Sequence, residues 1–381
     1  MVPPFRSIRF FLYAEREVIL AFVGSRLLLW LLAWLAYTLL AHGTYVNTPE
    51  PTELWNLLFR WDAGWYSAIA TEGYDYTPSH ESRAAFFPLY PLCLAAVRAF
   101  TGASVPLAGF LLSNTFLLAA AILLRRLVTL DFPAPSRVPT RTIWLLLLYP
   151  VTFFHSAVYT ESLFLLLSIG AIFAARQKRW AVAGISGALL TATRAPGLLI
   201  LLPLLWEVWS SSPRAAAFLK WQSLRPILWL ALVPLGLVSF AVYLHFRFGD
   251  ALAFSHTMEG GWQRSLTSPL RTIRIVLEDN KPGYTQLFLG TEALAAAIFL
   301  LACVVRLRAS YLIYSAAILL LLASNSLLEA LPRYVSVIFP FQIALAAATA
   351  RSEGLFLMLL VASTGLMAIC LALFTGGYWL T

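Results

Sequence analysis

Apolar runs dominate the chain from end to end, broken by short polar stretches in which arginine recurs. A bilayer crossing takes about 20 apolar residues in helix. Runs of that kind are Val18–Leu40, Val105–Leu124, Thr142–His155, Tyr159–Ala175, Trp180–Ala192, Gly197–Trp209, Ile227–Phe246, Gln286–Val305, Tyr311–Leu328, Val335–Ala350 and Leu355–Phe374. They predict an all-α, polytopic bundle of about eleven spans, because lipid tolerates no unpaired backbone. A further run, Phe86–Phe100, carries two prolines and Arg98. If it crossed, the clusters Arg125/Arg126, Arg137/Arg141, Arg176/Lys178/Arg179, Arg214/Lys220/Arg225, Arg306/Arg308 and Arg351 would all fall outside. Read as an interfacial amphipathic helix, it leaves those clusters on the cytoplasmic side, as the positive-inside rule requires. The N-terminus is then cytoplasmic. Arg6, Arg9 and Arg16 precede a run too long for a cleaved leader, so the first apolar segment reads as a retained helix.

The whole chain, 1–381, reads as one membrane domain with two long external segments, 41–105 and 247–285. The second could close over a site as a lid, since functional loops reach this length. Most acids fall on the external side: Asp62, Glu72, Asp75, Glu81, Glu161, Asp250, Glu259, Glu278, Asp279 and Glu329.

Composition agrees, with 60% hydrophobic and only 12% charged residues, where a soluble domain carries about 25% charged. The net charge of +9 sits in topogenic clusters and not in a nucleic-acid module, so no nucleic-acid partner is expected. Cys93, Cys303 and Cys370 form neither a metal motif nor a disulfide framework. No P-loop or dinucleotide fingerprint is present. Chemistry here would use a substrate already activated in the membrane.

The richest stretch is Pro49–Tyr90. Thr52 is a candidate N-cap. Leu54, Leu58, Trp61, Trp65 and Ile69 recur at helical spacing, and Gly73 is placed to end the helix. Such a helix lies on the surface and holds Asp62 beside Tyr66. Gly64 leaves room for a ligand next to Asp62. A carboxylate among tryptophans at an interface suits a general base. The structural alternative is an ion pair with an arginine such as Arg60.

The run RWDAGWYSAIATEGYDY followed by AAFFPLYPL resembles the GPI mannosyltransferase II (PIG-V-type) family and its bacterial relatives. AVYTESLFLLLS, TATRAPG and LPRYVSVIFP follow in the family's order, with a departure at Ala195-Pro196. The resemblance implies a GT-C fold and a polyprenyl- or dolichyl-phosphate mannose donor. It also implies transfer with inversion to a glycolipid or glycan acceptor, and Asp62 as base. On that basis Arg194, Arg333 and Tyr334 are candidates for holding the donor phosphate or sugar, by the bidentate preference of arginine. Glu161, Tyr66 and Trp65 are candidates for the sugar and its surroundings. For Arg194 the alternative is snorkelling, and for Glu161 a helix-terminal carboxylate favoured by the dipole; Arg26, inside the first span, is expected to snorkel to the cytoplasmic side. No cofactor is expected. The scattered histidines argue against a metal centre, although Asp62 with Asp75 or Glu81 could take a divalent ion. A bacterial inner membrane is the expected location, or the ER in a eukaryote. The rival reading is a lipid or small-molecule transporter or flippase without catalysis, which would carry ionisable groups at mid-membrane on broken helices.

Overall fold

Helix formation follows from the leucine- and alanine-rich runs, whose side chains lose little freedom in a helix. The computed structural model describes residues 14–40, 53–211, 221–278, 284–328 and 330–378. Among them, strand-like pairing is confined to one bridge, Leu266 with Asn325. The first eight α-helices are α1 (Arg16–Leu39), α2 (Asp62–Glu72), α3 (Leu89–Thr101), α4 (Val105–Thr129), α5 (Val138–Leu147), α6 (Glu161–Arg176), α7 (Trp180–Thr191) and α8 (Leu201–Ser211). They are followed by α9 (Trp221–Leu230), α10 (Leu235–Phe248), α11 (Ala253–Gly260), α12 (Pro269–Glu278), α13 (Tyr284–Val304), α14 (Ala309–Ala323), α15 (Leu331–Val335), α16 (Pro340–Ala348) and α17 (Glu353–Thr375).

Every apolar run of the sequence overlaps a helix, but among the described residues five stretches are long and apolar enough to cross a membrane. They are Arg16–Leu39, Val105–Thr129, Arg225–Phe248, Leu287–Val304 and Glu353–Thr375. The other runs are divided by short 3-10 turns such as Thr152–His155 and Ala195–Ile200, so their helices stop short. The surface has the polarity of a lipid-facing protein. Leu20, Leu27 and Leu31 of α1 and Met358 and Val361 of α17 point outward, while Arg26, Asn114, Ser156 and Glu161 are buried. Inside lipid, polar groups gain by facing other helices.

The centre is α6, nearly all of it buried, packed between α4 and α7. Helix α7 meets the following helices at backbone distance. A Cβ on Gly184 would strike the Trp229 carbonyl, and one on Gly236 would strike that of Ala188. Only glycine permits such an approach.

Two expectations are corrected. Arg26 does not snorkel: it is buried, donating to the Leu147 carbonyl at 2.6 Å and to Ser156 Oγ at 2.9 Å. The continuous surface helix before Gly73 is also not formed. A 3-10 turn, Leu54–Leu58, precedes a break, and α2 begins at Asp62. The break falls at Trp61, whose φ is 53°, a left-handed value that costs a bulky residue energy and needs support from its surroundings. Gly73 does end the helix, at φ 85°. Thr52, the expected N-cap, lies outside the described residues, as do Asp279 and Glu329.

Candidate functional site

The break at Trp61 makes Asp62 the first residue of α2, where the helix dipole favours a negative charge. Its backbone N–H, which has no partner within the helix, donates to Tyr159 Oη at 3.2 Å. The same phenol donates to the Arg60 carbonyl at 3.0 Å, so Tyr159 clamps the chain on both sides of the break. A Cβ on Gly64 would meet nothing within 4 Å, so the helix surface is open at that position, two residues beyond Asp62.

Glu161 begins α6 in the same way, at another N-terminus, and is fully buried. Arg333 comes from α15, which is itself entered through Ala330 at φ 65°. Two left-handed non-glycine residues thus stand directly before the helices bearing Asp62 and Arg333. Backbone strain of this kind concentrates where function requires a fixed geometry.

The four charges form one chain. Arg333 Nη1 donates to Asp62 Oδ2 at 2.6 Å. Its Nε stands 3.3 Å from Glu161 Oε1, in ion-pair range but without hydrogen-bond alignment. Arg194 Nη2 donates to that same Oε1 at 2.5 Å. Glu161 Oε2 accepts no hydrogen bond from the described residues. Side-chain exposure is 0% at Glu161 and 7% at Arg333, against 24% at Asp62. Of the two carboxylates, Asp62 is therefore the one an incoming molecule can reach.

Tyr334 closes the arrangement. Arg333 Nη2 and Arg264 Nη1 each donate to its Oη at 3.2 Å, and the Arg194 guanidinium lies 5.2 Å from its ring centre. Burial alone would push this phenol up, but Arg333, Arg264 and Arg194 outweigh it and bring it down to about 8. Tyr66 is buried with its Oη 3.4 Å from Thr160 Oγ1, and burial raises it to about 12. Trp65 stacks on Phe86 and meets Trp262 edge-on.

The structure thus brings Asp62, Glu161, Arg194, Arg333 and Tyr334 into one network, with Tyr66 beside it. Trp65 stands one layer away, in the aromatic packing. Asp62 does pair with an arginine, as the structural alternative had it, but the partner is Arg333 and not Arg60, which reaches the Thr375 carbonyl. Asp75 is held by Arg83 and not by Asp62. Among the described residues, no group of three His, Cys, Asp or Glu side chains could hold a metal ion. Sequence reasoning missed Tyr159 and Arg264. Tyr159 sits in the AVYTES motif beside Glu161, so its neighbourhood was flagged. Arg264 carries no local signal.

The two long segments before α3 and after α10 pack together over this end. Tyr76 Oη donates to Asp250 Oδ2 at 2.8 Å, Ser82 and Thr257 share a hydrogen bond at 3.1 Å, and Gly261 lies against the backbone of His80 and Glu81.

Comparison with known proteins gives three findings. The family model described as Mannosyltransferase (PIG-V) matches residues 5–208, more than half of the chain. Asp62, Glu161 and Arg194 lie within the matched stretch, and Arg264, Arg333 and Tyr334 lie beyond it. No curated protein matches significantly. Among solved structures, the chain is similar to the arabinofuranosyltransferase AftD from Mycobacteria, at 13% identity and a TM-score of 0.44 over 96% of this chain and 27% of that one. The chain therefore spans about a quarter of the length of that protein.

Proposed function

The chain belongs to the mannosyltransferase (PIG-V) family, and from that premise we propose that it transfers mannose from a polyprenyl- or dolichyl-phosphate donor to a hydroxyl of a glycolipid or glycan, with inversion, at the non-cytoplasmic face. It is a membrane glycosyltransferase of GT-C type in this reading, with the N-terminus cytoplasmic and about eleven crossings placing the basic clusters inside. Segments 41–105 and 247–285 then lie outside, with α3 at the interface, in a bacterial inner membrane.

The observation that carries the reading is the ion-pair chain Asp62–Arg333–Glu161–Arg194, assembled from four separate elements with Asp62 its most accessible carboxylate. Asp62, the more accessible carboxylate, removes the proton from the acceptor hydroxyl as that oxygen attacks the anomeric carbon. The bond from that carbon to the phosphate oxygen breaks, and phosphate leaves with the electron pair. A phosphate is a good leaving group without protonation, so what the site must supply is fixed positive charge. Arg333 and Arg194 supply it, the former by exchanging part of its contact with Asp62 for the phosphate. Donor binding would thus uncover the base. Glu161, fully buried, holds both guanidiniums through Oε1 and so sets where they meet the phosphate. Tyr334, Tyr66 and Trp65 line the approach.

The decisive experiment reconstitutes the protein with polyprenyl-phosphate-mannose and follows labelled mannose into acceptor. Asp62→Asn is expected to lose turnover while still binding donor. Full activity in that variant would remove Asp62 from the role.

A further inference from the structure

The segment after α11 holds a cation that this chemistry has not yet used. Residues 261–267 are pinned on three sides. Gly261 sits where a Cβ would strike the Glu81 backbone N–H, so the turn can close only on glycine. Trp262 packs against Trp65 and Phe86 at 5.5 and 5.7 Å between ring centres. Beyond them, Ser326 N donates to the Ser265 carbonyl at 2.9 Å, Ser265 N to Ser326 Oγ at 2.9 Å, and Thr267 N to the Ser324 carbonyl at 2.8 Å. Between these anchors, Arg264 N donates to the Met258 carbonyl at 2.8 Å and its Nη1 reaches Tyr334 Oη. Arg264 therefore shares one phenolic oxygen with Arg333, while Arg194 lies over the ring of that same tyrosine. Arg333 and Arg194 are held by Asp62 and Glu161, and because Arg264 and Arg333 meet at one phenolic oxygen, an anion that engages Arg333 beside Tyr334 comes within reach of a further charge-assisted hydrogen bond from Arg264.

Resting on the donor class argued above, we propose that Arg264 is the third ligand of the donor phosphate. Docking of the 247–285 segment on the first external segment is then what delivers it. The segment acts as a built-in arm of the donor site: Trp262 is its anchor and Arg264 its contact. A lipid monophosphate is the ligand, and the sugar is not needed for this contact.

The test measures binding of polyprenyl phosphate, the sugar-free product, to the full chain in nanodiscs, with polyprenyl-phosphate-mannose in parallel. Arg264→Ala is expected to raise Kd for both lipids by about tenfold, the worth of one charge-assisted hydrogen bond. Arg264→Lys should recover part of it, because the charge stays and the planar fork is lost. Arg274→Ala, on an exposed pair with Glu278 in α12, serves as control and should bind both lipids like wild type. Wild-type affinity for polyprenyl phosphate in a folded Arg264→Ala protein would overturn the assignment, as would equal weakening in Arg274→Ala. If wild type binds neither lipid but still transfers mannose from another donor, the donor class itself is wrong and the inference falls with it. An unchanged Arg264→Ala beside a binding wild type sinks the inference alone.

Discussion

Helix α6 carries a charged cluster at each end, and the two are built on opposite principles. At Glu161 the carboxylates and guanidiniums are shared: one oxygen serves two arginines, one guanidinium serves two acids, and a buried carboxylate oxygen accepts nothing from the described residues. At Arg176, about 22 Å away at 1.5 Å per residue, both oxygens of each carboxylate are held. Arg176 grips Asp131 with both Nη atoms at 2.8 and 2.9 Å, and Tyr311 adds a hydrogen bond at 2.7 Å. Next to it, Arg308 holds Glu207 bidentately at 2.7 and 2.8 Å, and Ser310 completes that carboxylate at 2.6 Å. Left-handed residues stand near both clusters, Trp61 and Ala330 at the first and Lys178 and Arg306 at the second, so the contrast lies in the pairing and not in backbone strain. A fully satisfied bidentate network fixes helices in place. A network with shared and unfilled positions is free to exchange partners with a ligand.

If that contrast is real, substitutions at the two ends must fail differently. The largest effect is expected for Asp62→Asn, which should cut turnover by about 10² to 10⁴, the usual contribution of a general base. Its thermal midpoint in detergent should fall only modestly, because the Arg333 that loses Asp62 keeps Glu161 as an anionic neighbour at 3.3 Å. Glu207→Gln should behave in reverse. It leaves Arg308 without its anion, and with that arginine side chain 36% exposed the loss should be about 2 kcal/mol, below the range for a fully buried pair. The thermal midpoint falls, while turnover per folded molecule stays unchanged. A Glu207→Gln protein that is stable but inactive would erase the distinction between the clusters. Next in size is Arg194→Ala, expected to weaken donor binding by about tenfold, as does the loss of one charge-assisted contact, and to change turnover at saturating donor much less. An unchanged donor affinity would leave Arg194 as a support for Glu161 only.

The convergence of Asp62, Glu161, Arg194, Arg333 and Tyr334 is legible in the sequence because charge is rare in this chain and expensive in lipid. Charged residues at the ends of apolar runs must find one another, and with a helical bundle given, few meeting places exist. The same logic reaches Gly73, whose conformational freedom marks the end of α2. It does not reach Trp61. Nothing in a tryptophan announces a left-handed φ, and the periodicity through Leu58, Trp61 and Trp65 argues for an unbroken helix. The break is imposed from outside, by Tyr159 nearly a hundred positions away, holding the Arg60 carbonyl and the Asp62 N–H. Arg26 fails for the same reason. Its partners, Leu147 and Ser156, belong to a distant turn, so local reasoning sees only an isolated cation in a membrane span. Arg264 sits in a polar loop where charge is cheap, and cheap charge carries no information.

The smallest expected effect concerns pH, and it separates the clusters without altering a charge by mutation. Arg333, Arg264 and Arg194 bring the Tyr334 phenol down to about 8 against its burial. Below that value the phenol is neutral and leaves the guanidiniums to an anionic donor. As pH rises through 8 it becomes a phenolate and competes for those same three cations. Donor affinity should therefore fall by a few-fold between pH 7 and 9, a modest change because the phosphate still brings more charge than the phenolate it displaces. Tyr334→Phe removes the competing anion, so its donor affinity should stay flat over that interval. Binding of labelled donor lipid at a series of pH values reads this directly. A wild-type profile as flat as that of Tyr334→Phe would mean that the arginines around Tyr334 do not meet the donor phosphate. The Glu161 cluster would then be a structural lock, like its counterpart at Arg176.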